Sequence, residues 1–313
     1  MLVTGAGGLL GGWVTQALAA AGSDVVGLDN AWTPGARQRA AEGVQVFDGD
    51  VRDLDCLRDV LESGIDTVLH LAAQPIVGEA NEDPIPTFDN NIAGTWTLLE
   101  ACRLSPAVQG ILVASSDKAY GDAGSATYSE DMPLKARHPY AASKACTDLL
   151  AQTYAESYGT KVVISRCGNL YGGGDRNWSR IVPGTIRSAL EGRRPIIRSD
   201  GTPVRDYLYV EDIAAGMLLL SKAIVLQPEL RGEAFNFGGG DRVAVLDVVT
   251  MILGELGSEL EPDIRCDSVN EIPEQRVGAE KAQAILGWRP THGLPEGLHR
   301  TVAWYREHLA SML

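Results

Sequence analysis

Short apolar runs alternate with longer stretches of helical period through the first half of the chain. Met1-Leu-Val-Thr4 reads as the end of a buried strand, Gly5 to Gly12 as a glycine-rich turn, and Trp13 to Ala21 as an alanine-rich helix closed by Gly22. Asp24-Val-Val-Gly-Leu28 is a second buried strand. The pattern predicts further strands over Gly43–Phe47, Asp66–Leu71, Val108–Ala114 and Lys161–Ser165, and helices over Leu54–Glu62, Thr87–Leu104 and Pro139–Tyr158. Strands and helices alternating at this spacing give right-handed βαβ units and a parallel sheet covered on both faces. After about residue 168 the rhythm changes. Gly172-Gly-Gly-Asp175, Pro183, Pro195, Gly201-Thr-Pro203 and Pro262 punctuate shorter elements, as in a smaller, more irregular lobe. Glu233–Phe237 is strand-like and could rejoin the sheet. No internal repeat or low-complexity tract interrupts this order.

The bulk numbers narrow the classes. A chain of 313 residues can bury a large core. The formal net charge of -14 disfavours nucleic acid or an anionic membrane as a partner, since both call for basic patches; an anionic small molecule needs only local positive charge. The five cysteines, Cys56, Cys102, Cys146, Cys167 and Cys266, are scattered and odd in number. They form neither a zinc pattern nor a disulfide framework, so no metal is expected and a reducing cytoplasm fits. No signal peptide or membrane-spanning run is apparent.

The candidate chemistry begins in the first turn. Thr4-Gly5-Ala-Gly-Gly8-Leu-Leu-Gly11 follows a strand and opens a helix, so backbone N–H groups can approach a pyrophosphate at the helix N-terminus. Taken alone it is only a tight turn. Asp29, at the end of the second strand, changes that: a carboxylate there accepts both hydroxyls of an adenosine ribose and repels a 2′-phosphate. No arginine adjoins it, so NAD is favoured over NADP. Asp50 ends the third strand, near where an adenine would sit. Tyr140 and Lys144 lie four apart on one helix face. A lysine ammonium beside a phenol favours the phenolate, which can take a proton from a hydroxyl while the cofactor is reduced.

Thr-Gly-x-x-Gly-x-x-Gly at residues 4–11, His70-Leu-Ala-Ala73, Asn90-Asn91-Ile-Ala-Gly94 and Tyr140-x-x-x-Lys144 together resemble an extended short-chain dehydrogenase/reductase acting on nucleotide sugars. The resemblance runs on through Arg205-Asp-Tyr-Leu-Tyr-Val-Glu-Asp212 and Leu286-Gly-Trp-Arg-Pro290. It implies an α/β fold: a doubly wound parallel Rossmann sheet with a smaller C-terminal substrate-binding lobe. The NAD-binding domain would span 1–168, with 204–245 partly rejoining it, and 169–313 would mainly bind the nucleotide sugar. The cofactor contacts it implies are Gly5, Gly8, Leu9, Leu10, Gly11, Asp29, Asn30, Asp50, Val51, Leu71, Ala72, Ala73 and Asn91, with Tyr140 and Lys144. Tyr140 would be the redox base, Lys144 its activator and ribose ligand, and Ser116 the hydroxyl bonded to the reacting oxygen.

The residues after Ser116 bear on the reaction. A 4-epimerase removes and returns a hydride at C4 and needs nothing ionisable there. A 4,6-dehydratase must also remove the C5 proton and protonate the C6 oxygen as water leaves. The Ser116-Asp117-Lys118 order resembles the CDP-glucose 4,6-dehydratase branch, as does Arg166-Cys-Gly-Asn169-Leu-Tyr-Gly-Gly-Gly174-Asp175 followed by Arg180-Ile-Val-Pro183. By that resemblance Asp117 is the acid toward the C6 oxygen and Lys118 the C5 base. The plain alternative is an ion pair at a strand end. Both a 4,6-dehydratase and a 4-epimerase remain open, and so does a non-catalytic dinucleotide-binding sensor or scaffold.

A nucleotide-diphosphate hexose calls for arginine and backbone donors at the diphosphate. The resemblance points to Asn169 and Arg205, more weakly to Arg276, and Arg180 is either a substrate contact or a surface arginine. His70 and His138 read as structural. The helices Thr87–Leu104 and Pro139–Tyr158 are those that such enzymes pair across a homodimer.

Overall fold

Seven parallel strands form the central sheet: β1 (Leu2–Thr4), β2 (Val25–Asp29), β3 (Val44–Asp48), β4 (Thr67–His70), β5 (Gly110–Ala114), β6 (Val162–Cys167) and β7 (Ala234–Phe237). Their order is β7-β6-β5-β4-β1-β2-β3, so the winding direction reverses at β1. The structure, a computed structural model, describes residues 1–41, 43–267 and 272–312.

Period-two alternation along the strands feeds two cores. Val3, Leu69, Leu112, Val163 and Phe235 face one way, packing against Ile213, Met217 and Leu220 of the helix Val210–Leu226. Leu2, Val68, Ile111, Val113 and Ile164 face the other, packing against the helices Leu54–Leu61, Gly94–Leu104 and Pro139–Tyr158. Both sheet faces are therefore covered, as an all-parallel sheet requires.

Three expectations are revised. The first helix spans Leu9–Ala20, so it opens inside the glycine run, with Gly11 buried in its first turns. The single helix expected over Thr87–Leu104 is three pieces: Pro84–Phe88, a π-helical turn Asp89–Ala93, and Gly94–Leu104. The hydroxyls of Thr95 and Thr147 both donate to the carbonyl of Asn91, at 2.6 and 3.1 Å, and satisfy an oxygen the widened turn frees. The second half is also less fragmentary than its prolines suggest. It carries the long helices Val210–Leu226 and Leu294–Met312. Beside them lies a three-stranded sheet of Arg242–Ala244, Val204–Tyr209 and Asn169–Tyr171, which brings Asn169 and Arg205 toward the C-terminal ends of the central strands.

Candidate active site

The turn after β1 is shaped for close backbone approach. Gly5 has φ +72°, and a side chain there would meet the backbone N of Ala72 at 2.7 Å; one on Gly11 would meet the Gly5 carbonyl at 2.0 Å. No side chain caps the helix at Gly8, so its N-terminal N–H groups stay available to an anion. Asp29 stands at the end of β2. Its Oδ2 accepts from Gly7 N at 2.9 Å and its Oδ1 from Ala31 N at 2.8 Å, which fixes the carboxylate at the rim of the turn. Asn30 donates to Asp50 at 3.0 Å, and Arg52 pairs with Asp50 at 2.7 Å, holding that carboxyl far below its ordinary range. These groups form a cradle that fits a dinucleotide.

Other cofactor candidates take supporting places. Val51 is buried in the core, where Gly94 packs against it. Asn91 is 1 % exposed, and its amide joins the segment after β4 to the Tyr140 helix: it donates to Gln74 O at 3.1 Å and Ser143 Oγ at 2.9 Å, and accepts from Gln74 N at 2.7 Å. Leu71 and Ala72 are tied to Thr4. His70 bonds the Thr4 and Thr95 hydroxyls through its two ring nitrogens. Burial, then Lys144, pulls its pKa down to about 3, so it is neutral and structural.

The end of β5 meets the helix Pro139–Tyr158 over a cavity of about 980 Å³, within the range of small-molecule sites. Pro139 stands at the first helical turn, where its missing N–H costs nothing. Ser115 donates to Lys144 O at 3.1 Å and Lys144 Nζ to Ala114 O at 2.8 Å, so strand and helix hold each other in register. Burial lowers the Lys144 pKa to about 8. It also raises the Tyr140 phenol, opposed by Arg180 and by a hydrogen bond with Ser116. Arg180 and Ser116 thus favour the phenolate, a contribution the Tyr140–Lys144 spacing gave no sign of.

Ser116 opens a 3₁₀ turn, Asp117–Tyr120, and accepts from Lys118 N at 3.2 Å. Asp117 is fully buried and does not reach the cavity wall. Its Oδ1 accepts from Ser116 Oγ at 3.1 Å and Lys118 Nζ at 3.3 Å, and its Oδ2 from Gln275 Nε2 at 3.4 Å. Lys118 forms part of the wall, and its ammonium also donates to Asn169 Oδ1 at 3.0 Å. The Asn169 side chain therefore orients Lys118, a contact the spacing gave no sign of.

Arg180 and Arg205 both line the cavity. Arg180 is held by Asp175 at 3.0 Å, and Arg205 donates to Val204 O at 2.9 Å. Arg276 does not line it: its guanidinium turns outward onto Glu274, and the neighbouring Gln275 faces in. Alternation along an extended segment decides this, and the resemblance that pointed weakly to Arg276 carried no sign of it. Arg198 and Arg265, which follow the paired segments Ile196–Ile197 and Asp263–Ile264, add cationic lining. Among the described residues no cluster of three His, Cys, Asp or Glu side chains could hold a metal ion, and no helix is long and apolar enough to cross a membrane.

Residues 1–238 match the NAD dependent epimerase/dehydratase family. The chain is 30% identical to the CDP-glucose 4,6-dehydratase of Salmonella typhimurium, over 98% of this chain and 90% of that protein. It is also 30% identical to the UDP-glucose 4-epimerase of Mycolicibacterium smegmatis, over 97% of this chain and 98% of that one. The structure superposes on the dTDP-glucose 4,6-dehydratase of Streptomyces venezuelae, solved with NAD bound, with a TM-score of 0.90 and 30% identity, covering 99% and 98% of the two chains.

Proposed function

The chain belongs to the NAD-dependent epimerase/dehydratase family, and from that premise we propose that it is a nucleotide-sugar 4,6-dehydratase. The observation that carries this reading is the carboxylate–ammonium pair beside the redox groups: Lys118 on the cavity wall, 3.3 Å from Asp117, next to Ser116 and Tyr140. An epimerase has no step for such a pair.

When bound, NAD supplies the two-electron oxidant and reductant of the cycle. Tyr140 takes the proton of the C4 hydroxyl, Ser116 holds the same oxygen, and Lys144 steadies the phenolate and a ribose. The C4 carbonyl acidifies the C5 hydrogen. With the proton of the pair on the Asp117 carboxyl and Lys118 as the neutral amine, Lys118 removes the C5 proton and later returns it, and Asp117 protonates the C6 oxygen as water departs. Asp117 lies behind Lys118, so it reaches the sugar only when the Lys118 side chain leaves their contact. Ser116, bonded to Asp117 and acting on the Tyr140 phenol, stands between the group that gains one proton per turnover and the group that loses one. Arg180, Arg205 and Asn169 face the diphosphate. We assign the cofactor to residues 1–168, with 204–245 partly rejoining that unit, and the nucleotide sugar mainly to 169–313. The described cysteines form no disulfide, consistent with a reducing cytoplasm.

The complete burial of Asp117 favours the second reading, a 4-epimerase, in which that carboxylate is only structural. A panel of CDP-, dTDP-, UDP- and GDP-hexoses, followed by mass spectrometry, separates the two. The dehydratase loses water and takes up deuterium at C5 in D₂O; an unchanged mass with inverted C4 establishes the epimerase. Lys118→Met is expected to oxidise C4, seen as reduced-nicotinamide absorbance, and to stall before elimination. Unaltered product formation would remove Lys118 from the chemistry.

We place a homodimer interface on the outer faces of the helices Pro84–Phe88, Gly94–Leu104 and Pro139–Tyr158. There Ile85, Trp96 and Leu149 are 68 %, 48 % and 54 % exposed. Sedimentation should give twice the chain mass and Leu149→Glu a monomer; a wild-type monomer at micromolar concentration would refute the interface.

A further inference from the structure

We propose that Gln275 is a positioning residue for the Asp117–Lys118 pair, fixing the carboxylate so that one oxygen is left to serve Ser116 and Lys118. The inference rests on reading that pair as the acid/base equipment of the site.

The residues around Gln275 form a strap between two parts of the fold. Val204 N donates to Pro273 O at 2.9 Å and Gln275 N to Val204 O at 3.1 Å on one side; Tyr128 N donates to Arg276 O at 2.8 Å and Gly278 N to Tyr128 O at 3.0 Å on the other. An extended strap pinned on both edges alternates its side chains. Arg276 turns out to Glu274, whereas Gln275 and Val277 turn in, Val277 onto Tyr120 and Tyr128. Gln275 is 2 % exposed and touches the cavity, and its amide donates to Asp117 Oδ2 at 3.4 Å.

The geometry gives this contact a specific job. Asp117 Oδ1 already takes two donors, from Ser116 and Lys118. With Oδ2 held by Gln275, the carboxylate plane cannot rotate without breaking three hydrogen bonds in a buried site, where unmet polar groups are expensive. An apolar side chain at 275 would leave Oδ2 bare and free the plane to turn. A carboxylate at 275 would place a second negative charge beside the first, and two acids sharing a site cannot both ionise, so one stays protonated to higher pH. The other titratable groups around Asp117 are Lys118, Tyr128, Tyr140, Cys167 and Asp206; of these only Tyr128 also feels the Gln275 amide, and its hydroxyl is held by Gly121 O at 2.7 Å.

The test compares wild type, Gln275→Met and Gln275→Glu on CDP-, dTDP- and UDP-glucose, measuring kcat, KM, their pH profiles and single-turnover reduction of the nicotinamide. For Gln275→Met, kcat for the dehydrated product falls about 10–100-fold with KM little changed and C4 oxidation retained. For Gln275→Glu, the alkaline limb of kcat, which reports Asp117 as the required acid, moves up by about one pH unit or more. A merely structural strap residue would lower stability and leave that limb in place. Wild-type kcat and limb in both variants overturn the proposal. So does a rise in KM alone, which would make Gln275 a substrate contact. Failure of the underlying reading is distinguishable: it shows in the wild type itself, as a C4 epimer in place of a dehydrated product.

Discussion

Tyr140→Phe should reduce turnover by about 10²–10⁴-fold, the usual worth of a positioned general base, with little change in KM for the nucleotide sugar. The substitution removes one oxygen and leaves the ring, the helix Pro139–Tyr158 and its capping untouched. What is lost is the atom bonded to Ser116 that burial raises and Arg180 and Ser116 oppose. A base must be deprotonated to act, and burial favours the neutral phenol. Wild-type kcat should therefore climb with pH along its acid limb, and the variant should lose that limb. Stopped-flow reduction of the nicotinamide isolates the step. Reduction within about tenfold of wild type would show that another group takes the C4 proton, since a tenfold change is only about 1.4 kcal/mol.

Asp148→Ala should cost about 3–5 kcal/mol of stability, the characteristic penalty for stranding a buried charge. Arg166 and Asp148 are 3 % and 0 % exposed. They are joined by two contacts, Nε–Oδ2 at 2.7 Å and Nη2–Oδ1 at 2.9 Å. Arg166 also donates to Tyr120 OH at 2.8 Å and Glu130 O at 3.2 Å, and Tyr120 OH donates to Asn236 at 2.7 Å. One ion pair thus ties the Tyr140 helix to β6, to β7 and to the loop after the Asp117–Tyr120 turn. Urea denaturation followed by circular dichroism reads the effect. Replacing both partners together, Asp148→Leu with Arg166→Met, should recover much of the loss, because no charge is then left unpaired. If Asp148→Ala moved the midpoint by the equivalent of less than about 1 kcal/mol, the pair would not be the clamp described here.

The parts of the candidate site proposed for the redox step were legible because they are local. A glycine turn between strand and helix, an acid at the next strand end and a tyrosine four residues before a lysine each declare themselves within one supersecondary unit. Arg205, to which the resemblance pointed, and Arg180, left open as substrate contact or surface arginine, both line the cavity. Arg276, to which the resemblance pointed more weakly, turns onto Glu274 instead. Which way a residue faces in an extended strap depends on the strands that pin it, Tyr128 and Val204, which lie far off in the chain. The Asn169–Lys118 and Gln275–Asp117 contacts span 51 and 158 residues, and no spacing rule connects such positions.

The sequence by itself determined the parallel α/β sheet, the glycine turn between the first strand and helix, and the shared helix of Tyr140 and Lys144. These follow from period, glycine sterics and helical spacing, which act over a few residues. Only the tertiary structure decided that Asp117 is buried behind Lys118, that Lys144 spends its ammonium on Ala114, and that Gln275 holds the carboxylate where an arginine had been expected to hold a diphosphate. Burial and hydrogen-bond partners are properties of the packed chain, set by which distant segments share a dry space, so they arise when the sheet and the second lobe close over the cavity.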